Sequence, residues 1–131
     1  MRFMTPQINL YVDNLELSRK FYEKLGFELQ FTAEIGGKAT HHELVLDGFV
    51  VGLATKESLK EVHGLNPGKN EGCEIVLWTE DTDLAIQYLS ENGVTVVSQP
   101  HDFLNLRAGY VQDPDGNPIH IVCKREELPE K

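Results

Sequence analysis

The sequence repeats itself at long range. An offset of 67 positions carries Gln7-Ile8-Asn9-Leu10-Tyr11-Val12 onto Glu74-Ile75-Val76-Leu77-Trp78-Thr79. The same offset sets Asn14 on Asp81, Phe21 on Tyr88 and Gly26 on Gly93. Few residues are identical, yet each matched position has a physical task. A chain of this kind is expected to build one supersecondary unit twice, because structural repeats keep their punctuation and apolar pattern longer than their residue identities.

The punctuation can be read directly. Asn14 and Asp81 are N-cap residues, whose side-chain oxygens accept from the first free N–H groups of a helix. Gly26 and Gly93 stand where a helix ends and the chain needs a left-handed residue. Between them, Leu17, Phe21 and Leu25, and in the second copy Leu84 and Tyr88, have the spacing of an apolar helix stripe. Before each cap, Ile8/Leu10/Val12 and Ile75/Leu77 alternate with the period of a strand. After each glycine come three strand-like runs, at residues 27–35, 39–46 and 49–54 and again at 94–99, 106–112 and 118–122. Gly36-Gly37 and Asp47-Gly48 are hairpin signals, and Asp113-Pro114-Asp115-Gly116-Asn117 is the strongest turn in the chain.

The fold class is therefore α+β, with two βαβββ modules and a helix on the outer face of each antiparallel-rich sheet. One domain of residues 1–131 is expected: module one at about 5–55, a linker at about 56–71, module two at about 72–124 and a polar tail at 125–131. The linker carries Gly64, Pro67 and Gly68 and has room for one helical turn near residues 57–62.

Alternation then sorts the strands by face. Ile8, Leu10, Val12, Ile75, Leu77, Ile119 and Ile121 should meet the helices, sending Gln7, Asn9, Tyr11, Glu74, Val76, Trp78 and His120 to the other side. That second set is polar and aromatic together, which suits a ligand cavity better than a dry core. The simpler alternative is that Gln7, Glu74 and His120 are hydrogen-bonded polar groups between packed sheets.

Charge and composition narrow the partners. Hydrophobic residues make up 40% of the chain, an ordinary globular content. The net charge of −9 is spread along the sequence, which argues against nucleic acid or an anionic membrane as partner. No apolar run reaches the roughly 20 residues of a bilayer span, and the first residues lack a signal-peptide pattern. With two cysteines and no C-x-x-C pair, a cytoplasmic location is expected. Cys73 and Cys123 are expected to be buried, inert thiols.

Three stretches carry a family likeness: Val12-Asp13-Asn14-Leu15-Glu16-Leu17-Ser18-Arg19-Lys20-Phe21-Tyr22 with Leu25-Gly26-Phe27, the Glu80-Asp81 helix entry, and Asp113-Pro114-Asp115-Gly116-Asn117-Pro118-Ile119. In these the chain resembles the vicinal oxygen chelate superfamily, the glyoxalase, bleomycin-resistance protein and extradiol dioxygenase group. The resemblance implies a cupped eight-stranded sheet around a cavity. It also implies metal positions on the first and last strands of each module, which fall on Gln7, Gly52, Glu74 and His120. Gly52 has no side chain to ligate, so the four-ligand glyoxalase pattern is broken. What remains is Gln7, Glu74 and His120, a possible three-ligand site for Mn²⁺, Fe²⁺, Ni²⁺ or Zn²⁺, with Glu74 as the candidate catalytic base.

Other histidines carry less. His41 and His42 are adjacent on a strand and face opposite ways, so both cannot serve one metal. His42 reads as a strand histidine still able to reach the cavity, whereas His63 (in the linker) and His101 (in a loop-like stretch) read as exposed. Three functions are compatible with this pattern. The first is binding of a small organic molecule by a cup with Asn9, Tyr11, His42, Phe49, Trp78 and Tyr110 on its walls. The second is a divalent-metal-dependent lyase, isomerase or transferase of the glyoxalase type. The third is an interaction protein whose cavity its own side chains fill. A homodimer is expected, because the open sheet edges invite a two-fold partner.

Overall fold

A computed structural model describes residues 1–2, 4–68 and 73–125. The end of the expected linker (69–72) and most of the polar tail (126–131) lie outside the described residues. The chain divides into two compact units, Met1–Asn70 and Glu71–Lys131.

The first unit runs β1 (Ile8–Val12), α1 (Leu15–Lys24), β2 (Glu28–Ile35), β3 (Lys38–Leu46), β4 (Phe49–Thr55) and α2 (Lys56–His63). The second runs β5 (Ile75–Trp78), α3 (Thr82–Glu91), β6 (Thr95–Phe103), β7 (Leu106–Gln112) and β8 (Pro118–Lys124). The eight strands form two four-stranded sheets of the same design, ordered β1-β4-β3-β2 and β5-β8-β7-β6. In each, the first and last strands pair in parallel and the remaining pairs are antiparallel. Among the described residues no helix is long and apolar enough to cross a membrane.

The repeat extends to single hydrogen bonds. Asn14 Oδ1 accepts from Leu17 N at 3.0 Å, and Asp81 Oδ1 accepts from Leu84 N at 3.0 Å. At the other helix ends, Phe27 N donates to Tyr22 O and Val94 N donates to Leu89 O across Gly26 and Gly93. Both glycines have positive φ, 101° and 81°, which lets the chain reverse and satisfy the last carbonyls.

Of the expected apolar stripes Phe21 is buried, but the rest are shifted in phase. Leu17, Leu84 and Tyr88 are exposed, and the buried residues are Leu15, Ser18, Phe21 and Tyr22 on α1 and Thr82, Ile86 and Leu89 on α3. A four-residue spacing fits several rotations of a helix, and contact with the sheet selects one. On α1 that contact is aromatic: Tyr22, fully buried, meets Phe21 and Phe27 edge-on at 5.0 and 5.6 Å. Such pairs add roughly 0.5–1.5 kcal/mol each beyond the area they bury.

The helical turn expected in the linker is present as a longer helix, α2, capped by Thr55 and ended by a left-handed Gly64. Two further expectations change. His101 belongs to β6, paired with Ala108, because a register shift between Ser98 and His101 carries the strand past Pro100, which has no N–H to give. Cys73 is exposed rather than buried, lying before β5 begins, while Cys123 is half-buried and accepts from Thr82 Oγ1 at 3.2 Å.

Candidate functional site

Each sheet has one face against its helix and one free of it, and strand register decides which side chains share the free face. In the first unit Asn9, Gly52 and Glu43 form one row across β1, β4 and β3, with Phe31 of β2 next to Glu43. Tyr11, Ala54 and His41 form the next row. Gly52 is the key to the arrangement. A Cβ on it would fall inside the Asn9 amide and 3.0 Å from His41 Cε1, so both side chains fold over the bare glycine. Glu43 Oε2 lies 3.3 Å from His41 Nε2, and Gln7 Nε2 donates to Asn9 Oδ1 at 2.8 Å and to Glu43 Oε2 at 3.4 Å.

His42 and Phe49 are not part of this set. Cross-strand pairing of His42 with Leu53 and of Phe49 with Leu46 puts both on the side of Leu44, Val51 and Leu53, which are fully buried. His42 is itself 2% exposed. Its ring contacts Glu16 Oε1 of α1 at 3.0 Å and Thr32 Oγ1 of β2 at 2.8 Å. It is a structural histidine that fastens α1 to the sheet.

In the second unit the corresponding row is Val76, His120, Tyr110 and Ser98. His120 therefore holds the place that Gly52 holds in the first unit, and Tyr110 the place of Glu43. The Tyr110 and His120 rings stack with centroids 4.5 Å apart and planes 8° from parallel. Glu74 Oε1 lies 3.9 Å from His120 Nδ1. Burial, followed by the charge of Glu74 and a hydrogen bond to it, holds the Tyr110 hydroxyl above the usual tyrosine range. His120 Nε2 is buried and has no protein partner among the described residues. Trp78 and Val76, on the same face, are 63% and 46% exposed.

Glu74, His120 and Tyr110 lie near one another on the face that strand alternation assigns them, and on the corresponding face of the first unit lie His41 and Glu43, which the sequence reading did not assign to the cup. Their separation of two residues is the signal that places them on one face. What it lacked was the register that puts Gly52 beside Glu43. The ligand set implied for glyoxalases does not fit: Gly52 offers no donor, and among the described residues no three His, Cys, Asp or Glu side chains converge. A separate open cavity of about 350 Å³ is lined by Asp83, Asp102, Arg107 and Arg125. These charges bind one another, Arg107 holding both oxygens of Asp83 at 2.9 and 3.0 Å and Asp102 at 3.1 Å.

Two βαβββ units, each presenting a polar and aromatic sheet face, define a paired-module α+β protein of the glyoxalase type. The chain belongs to the Glyoxalase/Bleomycin resistance protein/Dioxygenase superfamily, whose family model matches residues 5–121. An uncharacterized protein of Mycolicibacterium smegmatis is 33% identical over 108 residues, covering 82% of this chain and 83% of its own. A hypothetical protein from S. aureus superposes with a TM-score of 0.78 at 21% identity, over 93% of this chain and 95% of its own. A glyoxalase/bleomycin resistance protein/dioxygenase from Nocardioides superposes with a TM-score of 0.75 at 22% identity, over 100% and 90%. A glyoxalase-related enzyme from Fulvimarina pelagi gives 0.75 at 21% identity, over 91% and 86%. At these identities the structural likeness is one of fold.

Proposed function

We propose that this protein binds a small organic molecule on the helix-free sheet face of its second unit and does so without the glyoxalase metal set. One observation carries the reading: Gly52 stands where the superfamily pattern calls for a ligating carboxylate, and the Asn9 amide covers it. The second unit supplies what an organic ligand needs. The face of Trp78 is available for stacking, while Glu74, Tyr110 and His120 offer a carboxylate, a hydroxyl and an imidazole within one patch. A few convergent polar groups beside aromatic surface are the usual composition of a small-molecule site.

Trp78 is the only tryptophan of the chain, so it reports its own surroundings. The test is a titration of chelator-treated protein with a panel of aromatic and cationic organic molecules, read by Trp78 fluorescence and by Tm. Saturable quenching with a rise in Tm, both weakened by Tyr110→Ala, is the expected result. A panel that leaves fluorescence and Tm unchanged overturns the reading.

A second reading, a divalent-metal-dependent lyase, isomerase or transferase, draws on His120. Its Nε2 is buried without a protein partner while its Nδ1 faces Glu74. Metal-dependent activity abolished by both Glu74→Gln and His120→Ala would favour this reading over the first.

A further inference from the structure

We propose that the first unit carries a divalent-cation site of its own, formed by His41 Nε2, Glu43 Oε2 and Asn9 Oδ1 around the bare Gly52. The inference does not rest on the reading above. Three observations support it.

The first is convergence of acceptors. Asn9 Oδ1 and Glu43 Oε2 both point at one donor, the Gln7 amide nitrogen, at 2.8 and 3.4 Å. A small electropositive group thus already sits between the two oxygens, in the manner of a cation. The second is spacing. Neighbouring donors on one first-row ion, each at about 2.0–2.2 Å, stand about 3 Å apart. His41 Nε2 and Glu43 Oε2 are 3.3 Å apart, with side chains 19% and 24% exposed. The third is Gly52 itself. Any Cβ there would displace both Asn9 and His41, so the glycine that removes one ligand position makes room for these other donors.

The chemistry of the donors selects the ion. One imidazole, one carboxylate and one amide oxygen suit a divalent transition ion rather than Ca²⁺ or Mg²⁺, which take all-oxygen shells. Three protein donors leave coordination positions open to water or to a ligand oxygen. Binding requires His41 to offer the Nε2 lone pair, so a proton and the ion compete for that nitrogen. In this arrangement Gln7 is a competitor that must move aside. That sets the site apart from one in which Gln7 is itself a ligand.

The experiment uses the full chain with no metal-binding tag, in a Cys73→Ser background so that the exposed thiol contributes nothing. Chelator-treated protein is titrated with Ni²⁺ by calorimetry, and Tm is followed in parallel. One ion per chain is expected. Asn9→Ala, His41→Ala and Glu43→Gln should each weaken binding by about tenfold or more, the scale on which even indirect metal contacts are felt. Gln7→Ala, which removes the competitor, should bind at least as tightly as the parent, and His120→Ala should bind as the parent does. Gly52→Ala, which deletes no donor, should lose binding. Its metal-free circular dichroism and Tm show whether it folds, and if it does not, the Asn9→Ala and Glu43→Gln results decide. A parent whose Tm ignores Ni²⁺ overturns the proposal. So does binding that survives His41→Ala but fails in Gln7→Ala or His120→Ala.

Discussion

Tyr110 lies flat against His120, with ring centroids 4.5 Å apart and an interplanar angle of 8°. Burial first, and then Glu74 by charge and hydrogen bond, raises the pKa of the Tyr110 hydroxyl above its ordinary value of 10.0. A group whose folded-state pKa is raised contributes stability in full below its unfolded pKa, and loses it as pH rises through the folded one. Stability should therefore fall on the alkaline side, at and above the ordinary tyrosine range. Glu74→Gln removes the nearby negative charge and should bring the Tyr110 midpoint back toward 10.0, as read by ultraviolet difference absorbance against a Tyr110→Phe blank. An unchanged midpoint in Glu74→Gln would show that Glu74 does not act on Tyr110.

His42 fastens α1 to its sheet through Glu16 and Thr32. An ionised Glu16 has no proton to give, so His42 Nε2–H donates to Glu16 Oε1, and in the neutral ring Nδ1 then accepts from the Thr32 hydroxyl. That hydrogen bond from His42 is the main reason the Glu16 carboxyl titrates below its ordinary 4.5. The sign follows from the depressed pKa: the contribution exists above the unfolded pKa and disappears as pH falls through the folded one. His42→Ala leaves a cavity at a buried position and an unpaired, half-buried Thr32 hydroxyl, at a cost of about 2 kcal/mol at neutral pH. Urea unfolding at several pH values checks this, and the deficit should shrink as the solution is acidified below the carboxylate range. A deficit independent of pH would remove Glu16 from the account.

The parts of the fold that could be read in advance are those whose cause is local. Asn14, Asp81, Gly26 and Gly93 act through backbone groups at most a few residues away, so their positions mark the helix ends in the sequence itself. Leu17 and Leu84 were misread, because spacing alone does not say which rotation of a helix meets the sheet. His101 looked like loop because Pro100 suppresses the strand signal, and only pairing with β7 shows that the strand continues. The candidate site divides in the same way. Glu74 and His120 follow from alternation along single strands. Glu43 beside Gly52, and Phe49 beside Leu46, depend on the β3–β4 register, which no single strand contains.

The Asp113–Asn117 turn is held by one carboxylate. Asp113, 2% exposed, accepts from the N–H groups of Asp115 and Asn117 at 2.9 and 2.8 Å and from Asn117 Nδ2 at 2.7 Å. Hydrogen bonds to a charged group are stronger than neutral ones, and several lost together at a buried position should cost Asp113→Ala about 3 kcal/mol. Asp113→Asn keeps an oxygen for the two backbone donors but turns an NH₂ toward Asn117, and should cost less than the alanine. Urea midpoints with unchanged m-values are the check. An alanine variant as stable as the parent would mean the turn is held by its backbone alone.

Gly109 lies against Ile86 of α3. A Cβ on Gly109 would stand 3.0 Å from Ile86 Cγ1 and 3.1 Å from Ile86 Cδ1, tighter than most packed carbon contacts, so Ile86 would have to give by a few tenths of an ångström. Gly109→Ala should therefore destabilise the protein by about 1–3 kcal/mol through overpacking, even though alanine suits a strand better than glycine does. Ile86→Ala alone should cost roughly 2–5 kcal/mol, because Ile86 is 3% exposed and its removal leaves a cavity. In the double variant the new methyl group takes up part of the space that Ile86 vacates. The combined cost should then fall short of the sum by at least about 0.5 kcal/mol, the scale of coupling between touching residues. Chemical denaturation of the four proteins in this cycle measures that coupling. Strict additivity would mean that Ile86 is not what keeps position 109 a glycine.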